Sequence, residues 1–568
     1  MRETVHNVDF CVVGGGLAGL CAALAAARKG IKVAVMQDRP VFGGNASSEV
    51  RMWVCGAHGA DNRETGILEE IILENFYVNP ESNFYVWDSV LFGKAFTQEN
   101  LEMILNCSCL DCTMDGNTVK SVKGWQTTTQ SYHTVNAKYF ADCSGDSVLA
   151  PLTGAKFMLG REDKARFGES IAPDTADRKT MGMSCLLQAR ETDRPQKFIP
   201  PAWANKYESD ADLPNVDQYM NDDNNFWWIE LGGDKDSIAD TEEVRNELLK
   251  IVFGVWDHIK NKGDHGAENW ALDWVGFLPG KRESRRYVGD VIVNQNDVVS
   301  GGRFPDSVAY AGWTMDNHFP EGFNFKPGCE DITIQHPVDE PWGIPWRSLY
   351  SKNISNLLFA GRNISVTHVA LSSSRVMATC GILGQAVGTG AAQAVKTNTD
   401  IRNIDIDALQ QTLLYDDCFI PNIRRRISPL AAKAEVNCEI VRNGCDRGEK
   451  NLWLGERGDF LEYRFAEPAA VKEVRIVFDS KLNRTEHNMR CSYPLNMAQA
   501  KPPETLIRDY TVSCELESGK IKNIEVKDSH TRLAVHKIGE RIKNVRLIPK
   551  TTWGDKKFRV FGFEIINP

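Results

Sequence analysis

The stretch Gly14-Gly15-Gly16-Leu17-Ala18-Gly19 decides the fold of this 568-residue chain, because its glycines have G-x-G-x-x-G spacing. The apolar run at residues 8–13 precedes it and predicts a buried strand. An alanine-rich helix is predicted from Leu17 to Lys29, and a second strand from Lys32 to Met36. The sequence therefore predicts a βαβ unit with a glycine loop between strand and helix, an arrangement that binds dinucleotides.

Four residues of this loop have an expected part in the binding. Gly14 permits the tight turn, and Gly16, with Ala18 beside it, lets backbone amides approach a pyrophosphate. Gly19 allows close packing of the helix on the strand. The helix N-terminus adds partial positive charge for the phosphates.

The end of the second strand is where a ribose-binding residue is expected. Gln37 and Asp38 occupy this position, and an amide can hydrogen-bond a ribose hydroxyl without the assistance of charge. Arg39 follows them and supports an alternative, since an arginine here can face the 2′-phosphate of NADP. A second glycine-rich loop at residues 40–47 favours FAD instead, with Gly43, Gly44, Asn45 and Ser47 as its expected contacts.

With this loop the chain resembles FAD-dependent oxidoreductases with a glutathione-reductase-like FAD domain, in particular the bacterial branch with a double-glycine loop. Further motifs similar to that branch are found at residues 139–146, 282–286, 357–362 and 375–386. The resemblance implies FAD as the cofactor. It implies further FAD-binding residues at Gly145, Asp146, Gly361, Arg362, Gly384 and Gln385.

The expected fold is α/β, with a Rossmann-like FAD-binding domain, an inserted α+β substrate region and a C-terminal all-β sandwich. We predict the FAD-binding domain at residues 1–160 and 341–430, around a substrate region at 161–340. A helix is predicted from Thr241 to Lys260 in that region. Short alternating strands after residue 430 predict the sandwich at 431–568, which resembles discoidin-like, galactose-binding jelly rolls.

Composition excludes several classes of protein. The chain is 42% hydrophobic and 25% charged, which is typical of globular proteins, and its net charge of −10 argues against nucleic acid as a partner. Cys107, Cys109 and Cys112 form the closest cysteine cluster, but their alternation indicates a strand, so we expect no metal site. Uncharged runs at 10–27 and 376–395 are rich in glycine, which favours buried helices over membrane spans. The cytoplasm is the expected location, and the periplasm is the alternative if a leader has been removed.

Candidates for proton transfer and for holding the substrate come from the histidines and arginines near the FAD motifs. His368 lies between two of these motifs, and Arg51 and His58 follow the second glycine loop. Arg285 belongs to the 282–286 motif, although an ion pair is the commoner role for such a residue. His318, His336, Arg347 and Arg375 are further candidates, and His318 has the weakest sequence support.

These residues predict an FAD-dependent oxidoreductase that transfers hydride between a small organic substrate and flavin. Fourteen tryptophans and the C-terminal strands suggest a carbohydrate, glycoside or polyol as substrate. One alternative is a reductase of an activated double bond, with arginines clamping a carboxylate. Another is a carbohydrate-binding protein with a vestigial flavin fold. The electron acceptor is left open, and a homo-oligomer is an open expectation.

Overall fold

The computed structural model describes residues 2–214, 216–221, 224–324 and 332–567. The chain divides into two compact units. The first comprises Met1–His58, Ser82–Leu409 and His487–Gln499, and the second comprises Gly59–Glu81, Gln410–Glu486 and Ala500–Pro568. The second unit therefore combines the C-terminal strands with the early segment Gly59–Glu81. The predicted domain, residues 431–568, does not include this early segment.

The helices of the described residues include the three predicted in the first unit, near residues 17–29, 241–260 and 376–395. They are α1 (Leu17–Arg28), α2 (Ile67–Val78), α3 (Phe84–Phe96), α4 (Leu149–Thr153), α5 (Lys164–Phe167), α6 (Thr241–Asn261), α7 (Gln295–Val299), α8 (His368–Ser374), α9 (Met377–Thr397), α10 (Ile406–Tyr415) and α11 (Pro429–Lys433). Short 3₁₀ turns lie at Gly44–Ala46, Asp210–Asp212, Gly322–Asn324, Trp346–Ser348, Glu439–Arg442 and Glu449–Asn451. Among the described residues, no helix is both long and apolar enough to span a membrane.

The strands of the first unit form several sheets of different size. In chain order they are β1 (Arg2–Asn7), β2 (Phe10–Val13), β3 (Val33–Met36), β4 (Leu101–Ile104), β5 (Cys107–Asp115), β6 (Thr118–Gln126), β7 (Ser131–Asn136), β8 (Tyr139–Asp142), β9 (Phe157–Met158), β10 (Met183–Ser184), β11 (Leu187–Glu191), β12 (Glu230–Leu231), β13 (Trp270–Val275), β14 (Gly280–Lys281), β15 (Arg286–Tyr287), β16 (Ser307–Ala311), β17 (Met315–His318), β18 (Thr333–His336), β19 (Trp342–Pro345) and β20 (Leu357–Phe359).

A parallel sheet with the order β20-β8-β2-β3-β4 is the centre of the first unit. β2 and β3 are buried along their whole length, as the predicted βαβ unit requires. Helix α1 packs against α9, and glycines allow this close approach. A Cβ atom on Gly384 would lie 1.9 Å from the backbone oxygen of Ala18. The two uncharged runs of the sequence are thus buried against each other.

Outside this sheet, the first unit contains antiparallel strands and one amphipathic helix. The cysteine cluster lies on β5, at the edge of the sheet β1-β7-β6-β5, as its alternation predicts. In the inserted region, α6 buries its apolar face in a core that contains Leu248, Val252 and Trp256. This core supports the small sheets β12-β10-β14 and β11-β13.

The second unit contains an antiparallel sheet with the order β22-β27-β23-β26-β24-β25, and β21 pairs with β23. Its strands are β21 (Glu435–Val436), β22 (Trp453–Gly455), β23 (Leu461–Phe478), β24 (Ile507–Leu516), β25 (Ile521–Val526), β26 (Leu533–Thr552) and β27 (Phe558–Ile566). The strands predicted after residue 430 are short, but β23 is one continuous strand of 18 residues. Register shifts against β26 occur between Arg464 and Ala469, around Pro468, and again between Val471 and Glu473.

Candidate functional site

A cavity of about 410 Å³ opens in the first unit at the carboxyl ends of the parallel strands. Val13 and Met36, the last residues of β2 and β3, line it, as does Gly361, just after β20. Ligands of open parallel sheets bind at this edge, because the loops that follow the strands converge there. The cavity is therefore the candidate site for the predicted dinucleotide.

The two glycine loops contact each other in the wall of this cavity. Gly16 and Gly43 form a parallel bridge, and the Gly43 N–H donates to the Gly15 carbonyl at 2.9 Å. A Cβ atom on Gly16 would meet only the Gly44 Cα, at 4.0 Å. Gly16 therefore leaves open space on the cavity side, where a bound group can approach the backbone.

Two helices begin at the cavity. Gly16 precedes α1 and Val376 precedes α9, and no side chain caps either helix. The first backbone N–H groups of a helix lack partners within the helix and carry partial positive charge. These two N-termini suit a ligand with a phosphate group at one end and a polar, electron-rich ring at the other.

Both ends of the Gln37 side-chain amide bond to backbone groups of the protein. Its Oε1 accepts from the Gly15 N–H at 2.6 Å, its Nε2 donates to the Val41 carbonyl at 3.1 Å, and the residue is 4% exposed. The side chain thus joins the first glycine loop to the start of the second. Asp38 and Arg39 also line the cavity, and their half-exposed side chains pair with each other at 3.7 Å.

A cluster around Asp146 gives one wall of the cavity a positive charge. Asp146 accepts from Lys281 at 2.9 Å, from Arg362 at 2.8 Å and from the Ser284 hydroxyl at 2.8 Å. Burial alone would raise the pKa of Asp146, but the charges of Arg362 and Lys281 hold this pKa below its ordinary value. Two cations face one carboxylate here, and the Arg362 Nε is buried with no hydrogen-bond partner among the described residues.

Most of the predicted cofactor-binding residues meet at this cavity. Those that line it are Gly14, Gly16, Ala18, Gln37, Asp38, Gly43, Gly44, Asn45, Gly145, Asp146, Gly361 and Arg362. Four others lie behind the wall: Gly19 and Gly384 permit close backbone packing, Ser47 donates to the Gly44 carbonyl, and Gln385 is buried in α9. Any effect of these four on a ligand is therefore indirect.

A second cluster of charged side chains forms another part of the wall. Arg282 and Arg375 both line the cavity. Arg282 pairs with Glu230 at 3.3 Å, and Arg375 donates to Asp316 at 2.8 Å. His318 links the two carboxylates, with Nδ1 2.6 Å from Glu230 and Nε2 3.0 Å from Asp316.

The two arginines are thereby held rigidly at the cavity. Burial would raise the pKa of Glu230, but the charges of Arg282 and His318 keep this pKa below its ordinary value. The Arg375 Nε is buried and has no hydrogen-bond partner among the described residues.

Four of the residues predicted to transfer protons or clamp a substrate lie elsewhere, whereas the further candidate Arg375 lines the cavity. Among the described residues that line the cavity, none is Arg51, His58, Arg285 or His368. Arg51 is buried, donates to Gln188 at 2.8 Å and lies over the Trp274 ring. The exposed His58 packs on Trp313, and burial of part of its ring lowers its pKa.

His368 and Arg285 have structural partners of their own. His368 is 2% exposed, with Nδ1 2.8 Å from Glu283 and Nε2 3.2 Å from Asn317. Its proximity to two FAD motifs in sequence therefore does not bring the ring to the cavity wall. Arg285 lies over the Phe157 ring at 5.5 Å. A proton-transfer role for these residues stays a prediction, and the cavity itself points to other side chains.

Arg282 was not among the residues predicted for the site, and Arg375 and His318 were only further candidates. A signal was present, since Arg282 and Arg375 each begin one of the quoted motifs. His318 lies on β17, in an irregular part of the sequence, and only the pairing with Glu230 of β12 brings it to the site. Contacts between segments so far apart cannot be read from local patterns.

Comparison with solved structures gives matches of low overall similarity. An L-proline dehydrogenase from P. horikoshii is 18% identical over 29% of this chain and 26% of that chain, with a TM-score of 0.17. A geranylgeranyl bacteriochlorophyll reductase-like protein from Thermoplasma acidophilum is 10% identical over 73% of this chain and 85% of that chain, with a TM-score of 0.31. The family 32 carbohydrate-binding module of Streptococcus pneumoniae EndoD is 12% identical over 24% of this chain and 93% of that chain, with a TM-score of 0.18. The chain thus spans about a quarter of the length of the proline dehydrogenase.

No curated protein matches the chain in sequence. A family model does match, and it extends over residues 9–413, which include both glycine loops, the Asp146 cluster and the two cavity arginines. This range is well over half of the 568 residues. The chain belongs to the FAD dependent oxidoreductase family.

Proposed function

We propose that this FAD-dependent oxidoreductase acts on a small organic carboxylate, which Arg375 and Arg282 hold in the cavity. The observation that supports this most directly is the presence of two arginines, Arg282 and Arg375, side by side in the cavity wall and fixed there by carboxylates. The guanidinium group of arginine matches a carboxylate in shape and charge. A reductase of an activated double bond in a carboxylate, or a dehydrogenase of a hydroxy acid, fits this site.

The charge of the cavity supports an anionic ligand. The chain carries a net charge of −10, yet the charged residues that line the cavity are five cations and four carboxylates. The cations are Arg39, Lys281, Arg282, Arg362 and Arg375, and the carboxylates are Asp38, Glu49, Asp146 and Glu242. Glu230 and Asp316 offset this charge from behind Arg282 and Arg375, so what favours a small anion is the set of guanidinium donors in the wall.

We propose that Gly14, Gly16 and Gly44 with the N-terminus of α1 bind the pyrophosphate of FAD, and that Asp38 or Arg39 reaches the ribose. The open space beside Gly16 and the uncapped helix fit such a group. Gly361, Arg362 and the N-terminus of α9 would contact the flavin ring. When bound there, FAD supplies two-electron redox chemistry.

The chain's own residues prepare the substrate for this chemistry. Arg375 and Arg282 orient the carboxylate, and Glu230, His318 and Asp316 hold both guanidinium groups in place. Fixed donors of this kind need little reorganisation during the reaction, which is why they lower a barrier. His318 is a positioning residue in this proposal, because it contacts Arg375 at 2.9 Å and does not itself line the cavity.

The finer fold assignments are part of the same proposal. The parallel order β20-β8-β2-β3-β4 and the glycine loop after β2 support a Rossmann-like, glutathione-reductase-like FAD domain. β23 and β26 have 18 and 20 residues, longer than the usual 3–10 or so, and their register shifts support a bend between two layers. A discoidin-like sandwich is therefore proposed for the second unit. The carbohydrate substrate suggested by the tryptophans stays a prediction.

Anaerobic reduction of the bound flavin tests the substrate class. The purified enzyme is mixed with 2-hydroxy acids and sugar acids, and separately with the matching neutral alcohols and sugars. Unsaturated carboxylates are tested as oxidants of the chemically reduced enzyme. We expect the visible flavin band to respond to carboxylates and not to their neutral analogues.

Two variants link this response to the proposed residue. Arg375→Gln should weaken the response to carboxylates while FAD stays bound, and Arg347→Gln serves as the matched control. Arg347 pairs with Asp306 at 2.9 Å and is not among the described residues that line the cavity. Equal responses to neutral and anionic compounds, unchanged in Arg375→Gln, would contradict the proposal.

A further inference from the structure

A group of metal-ligating side chains lies in the inserted region, outside the cavity. It consists of Asp210, His258 and His265. His258 Nε2 is 2.8 Å from Asp210 Oδ1 and 3.2 Å from His265 Nε2, and His265 Nε2 is 3.3 Å from the same Asp210 oxygen. Three potential ligand atoms thus form a small triangle.

The size of this triangle matches one face of a coordination polyhedron. Zinc binds histidine nitrogen and carboxylate oxygen at about 2.0–2.2 Å, so the ligand atoms of a tetrahedral site lie about 3.3–3.5 Å apart. The three separations here, 2.8, 3.2 and 3.3 Å, are equal to this or slightly shorter. Binding an ion would move these atoms apart by up to about half an ångström, most of all Asp210 Oδ1 and His258 Nε2.

The hydrogen bonds of His258 prepare its ring for a metal. Its Nδ1 lies 3.0 Å from the Tyr207 carbonyl, which can only accept, so Nδ1 carries the proton. Nε2 of the neutral ring then has a lone pair, which points to Asp210 and His265. A backbone carbonyl on the far nitrogen is the usual outer contact of a metal-binding histidine.

One ring nitrogen of the second histidine, His265, has no hydrogen-bond partner among the described residues. His265 is 7% exposed, and this nitrogen is its buried Nδ1. The ring is therefore oriented by what lies at Nε2, where it meets a lone pair of His258 and a carboxylate oxygen. A neutral His265 can donate its Nε2–H toward both neighbours, but His258 Nε2 and Asp210 Oδ1 then face each other at 2.8 Å with two lone pairs and no proton between them, which a cation would relieve.

We propose that Asp210, His258 and His265 bind a divalent transition-metal ion of the zinc class. Two imidazoles and one carboxylate favour zinc, nickel or copper over magnesium or calcium, which prefer oxygen ligands. Asp210 is exposed, so water completes the coordination. The expectation of no metal site rested on the cysteine cluster, and this group has none of the short spacings that identify a site in sequence.

The ion has a structural role in this proposal. His258 is near the end of α6, and Glu242, near its start, lines the cavity. At about 1.5 Å per residue the two are about 24 Å apart along the helix, too far for the ion to contact the substrate. The site instead links the 3₁₀ turn Asp210–Asp212 to the end of α6. The residues Leu213 and Trp256, which follow the turn and lie on α6, belong to the same hydrophobic core.

Metal analysis of the full-length protein tests the proposal. The protein is purified without metal-affinity chromatography, stripped with a chelator, loaded with zinc and passed through a desalting column. We expect about one zinc ion per chain in the wild type. Asp210→Asn and His265→Gln should bind zinc more than about 100-fold more weakly, because even changes to outer contacts cost about 10–100-fold.

The matched control is Glu208→Gln, which removes an equal charge nearby. Glu208 is exposed and pairs with Lys262 at 2.8 Å, so this variant should bind zinc like the wild type. Flavin content and circular dichroism establish that each variant is folded. If a variant is misfolded, cobalt loading of the wild type decides, since cobalt bound to nitrogen ligands absorbs at wavelengths beyond the flavin bands. A wild type with no bound zinc and no cobalt spectrum would overturn the proposal, and a shared proton would then explain the triangle.

Discussion

The side-chain oxygen of Gln37 accepts a hydrogen bond from the backbone N–H of Gly15 at 2.6 Å. The same side chain donates to Val41, so one buried amide holds the start of each glycine loop. The chain thus uses this residue to shape its cofactor loops, at a position where a ribose contact was predicted. A glutamate could accept from Gly15 but could not donate to Val41.

Gln37→Ala should therefore weaken FAD binding by disturbing the loops. The change leaves the buried Gly15 N–H without its partner, at a cost of about 1–3 kcal/mol. Flavin retained after gel filtration and the thermal unfolding temperature measure the effect. Gln98→Ala is the control, because Gln98 is exposed and its side chain bonds to the Arg28 side chain and the Glu99 carbonyl, away from the glycine loops. Equal flavin retention in both variants would assign the loop geometry to other contacts.

Gly16 and Gly384 should respond differently to a larger side chain. A Cβ atom on Gly16 enters open space, so Gly16→Trp should fold but lose FAD. A Cβ atom on Gly384 would lie 1.9 Å from the Ala18 oxygen, so Gly384→Val should destabilise the first unit by about 1–3 kcal/mol or more. Flavin absorbance and thermal unfolding separate the two effects. Full flavin content in Gly16→Trp would show that the pyrophosphate binds elsewhere.

His368→Gln should lower stability and leave the rate of flavin reduction within a few-fold of wild type. The ring is buried between Glu283 and Asn317, and its loss weakens hydrogen bonds to a charged group, at about 1.5–3 kcal/mol. Stopped-flow reduction and thermal unfolding are the measurements. A rate loss of about 10²–10⁴-fold at unchanged stability would instead assign proton transfer to His368.

The second unit contains a buried ion pair whose loss should be severe. Arg484 donates to both oxygens of Glu69, at 2.8 and 2.5 Å, and the Ser480 hydroxyl donates at 2.6 Å. Glu69→Gln leaves the arginine charge uncompensated and should cost about 3–5 kcal/mol in unfolding free energy. The double variant Glu69→Met with Arg484→Met should recover most of this, since it removes both charges. A double variant as unstable as the single one would contradict this account.

The same pair gives stability a defined dependence on pH. Burial would raise the pKa of Glu69, but Arg484 holds this pKa below the ordinary value of 4.5. The unfolded state therefore binds the proton more readily. The stabilisation is complete above pH 4.5 and is lost as the pH falls through the lower pKa of the folded state. Thermal unfolding below pH 4.5 should show a smaller loss of stability in the double variant than in the wild type.

Local patterns predicted the centre of the first unit well. The strand, glycine loop and helix at residues 10–36 lie where periodicity puts them, because each element is buried along its length. The same holds for α6, whose apolar stripe is clear in the sequence. Tertiary contacts decided the rest. Nothing near Gln37 in sequence shows that Gly15 takes its oxygen, and nothing near His318 shows that Glu230 meets its ring.

The path of the chain through the parallel sheet also constrains when the enzyme becomes active. β2 ends at Val13, whereas its cavity partners Gly361 and α9 are synthesised more than three hundred residues later. At about 5–20 residues per second, a ribosome needs roughly 20–70 s to make that interval. During this time the first glycine loop has no opposite wall. FAD loading must therefore follow nearly complete synthesis of the first unit. Chaperones that bind nascent chains have this whole interval in which to act.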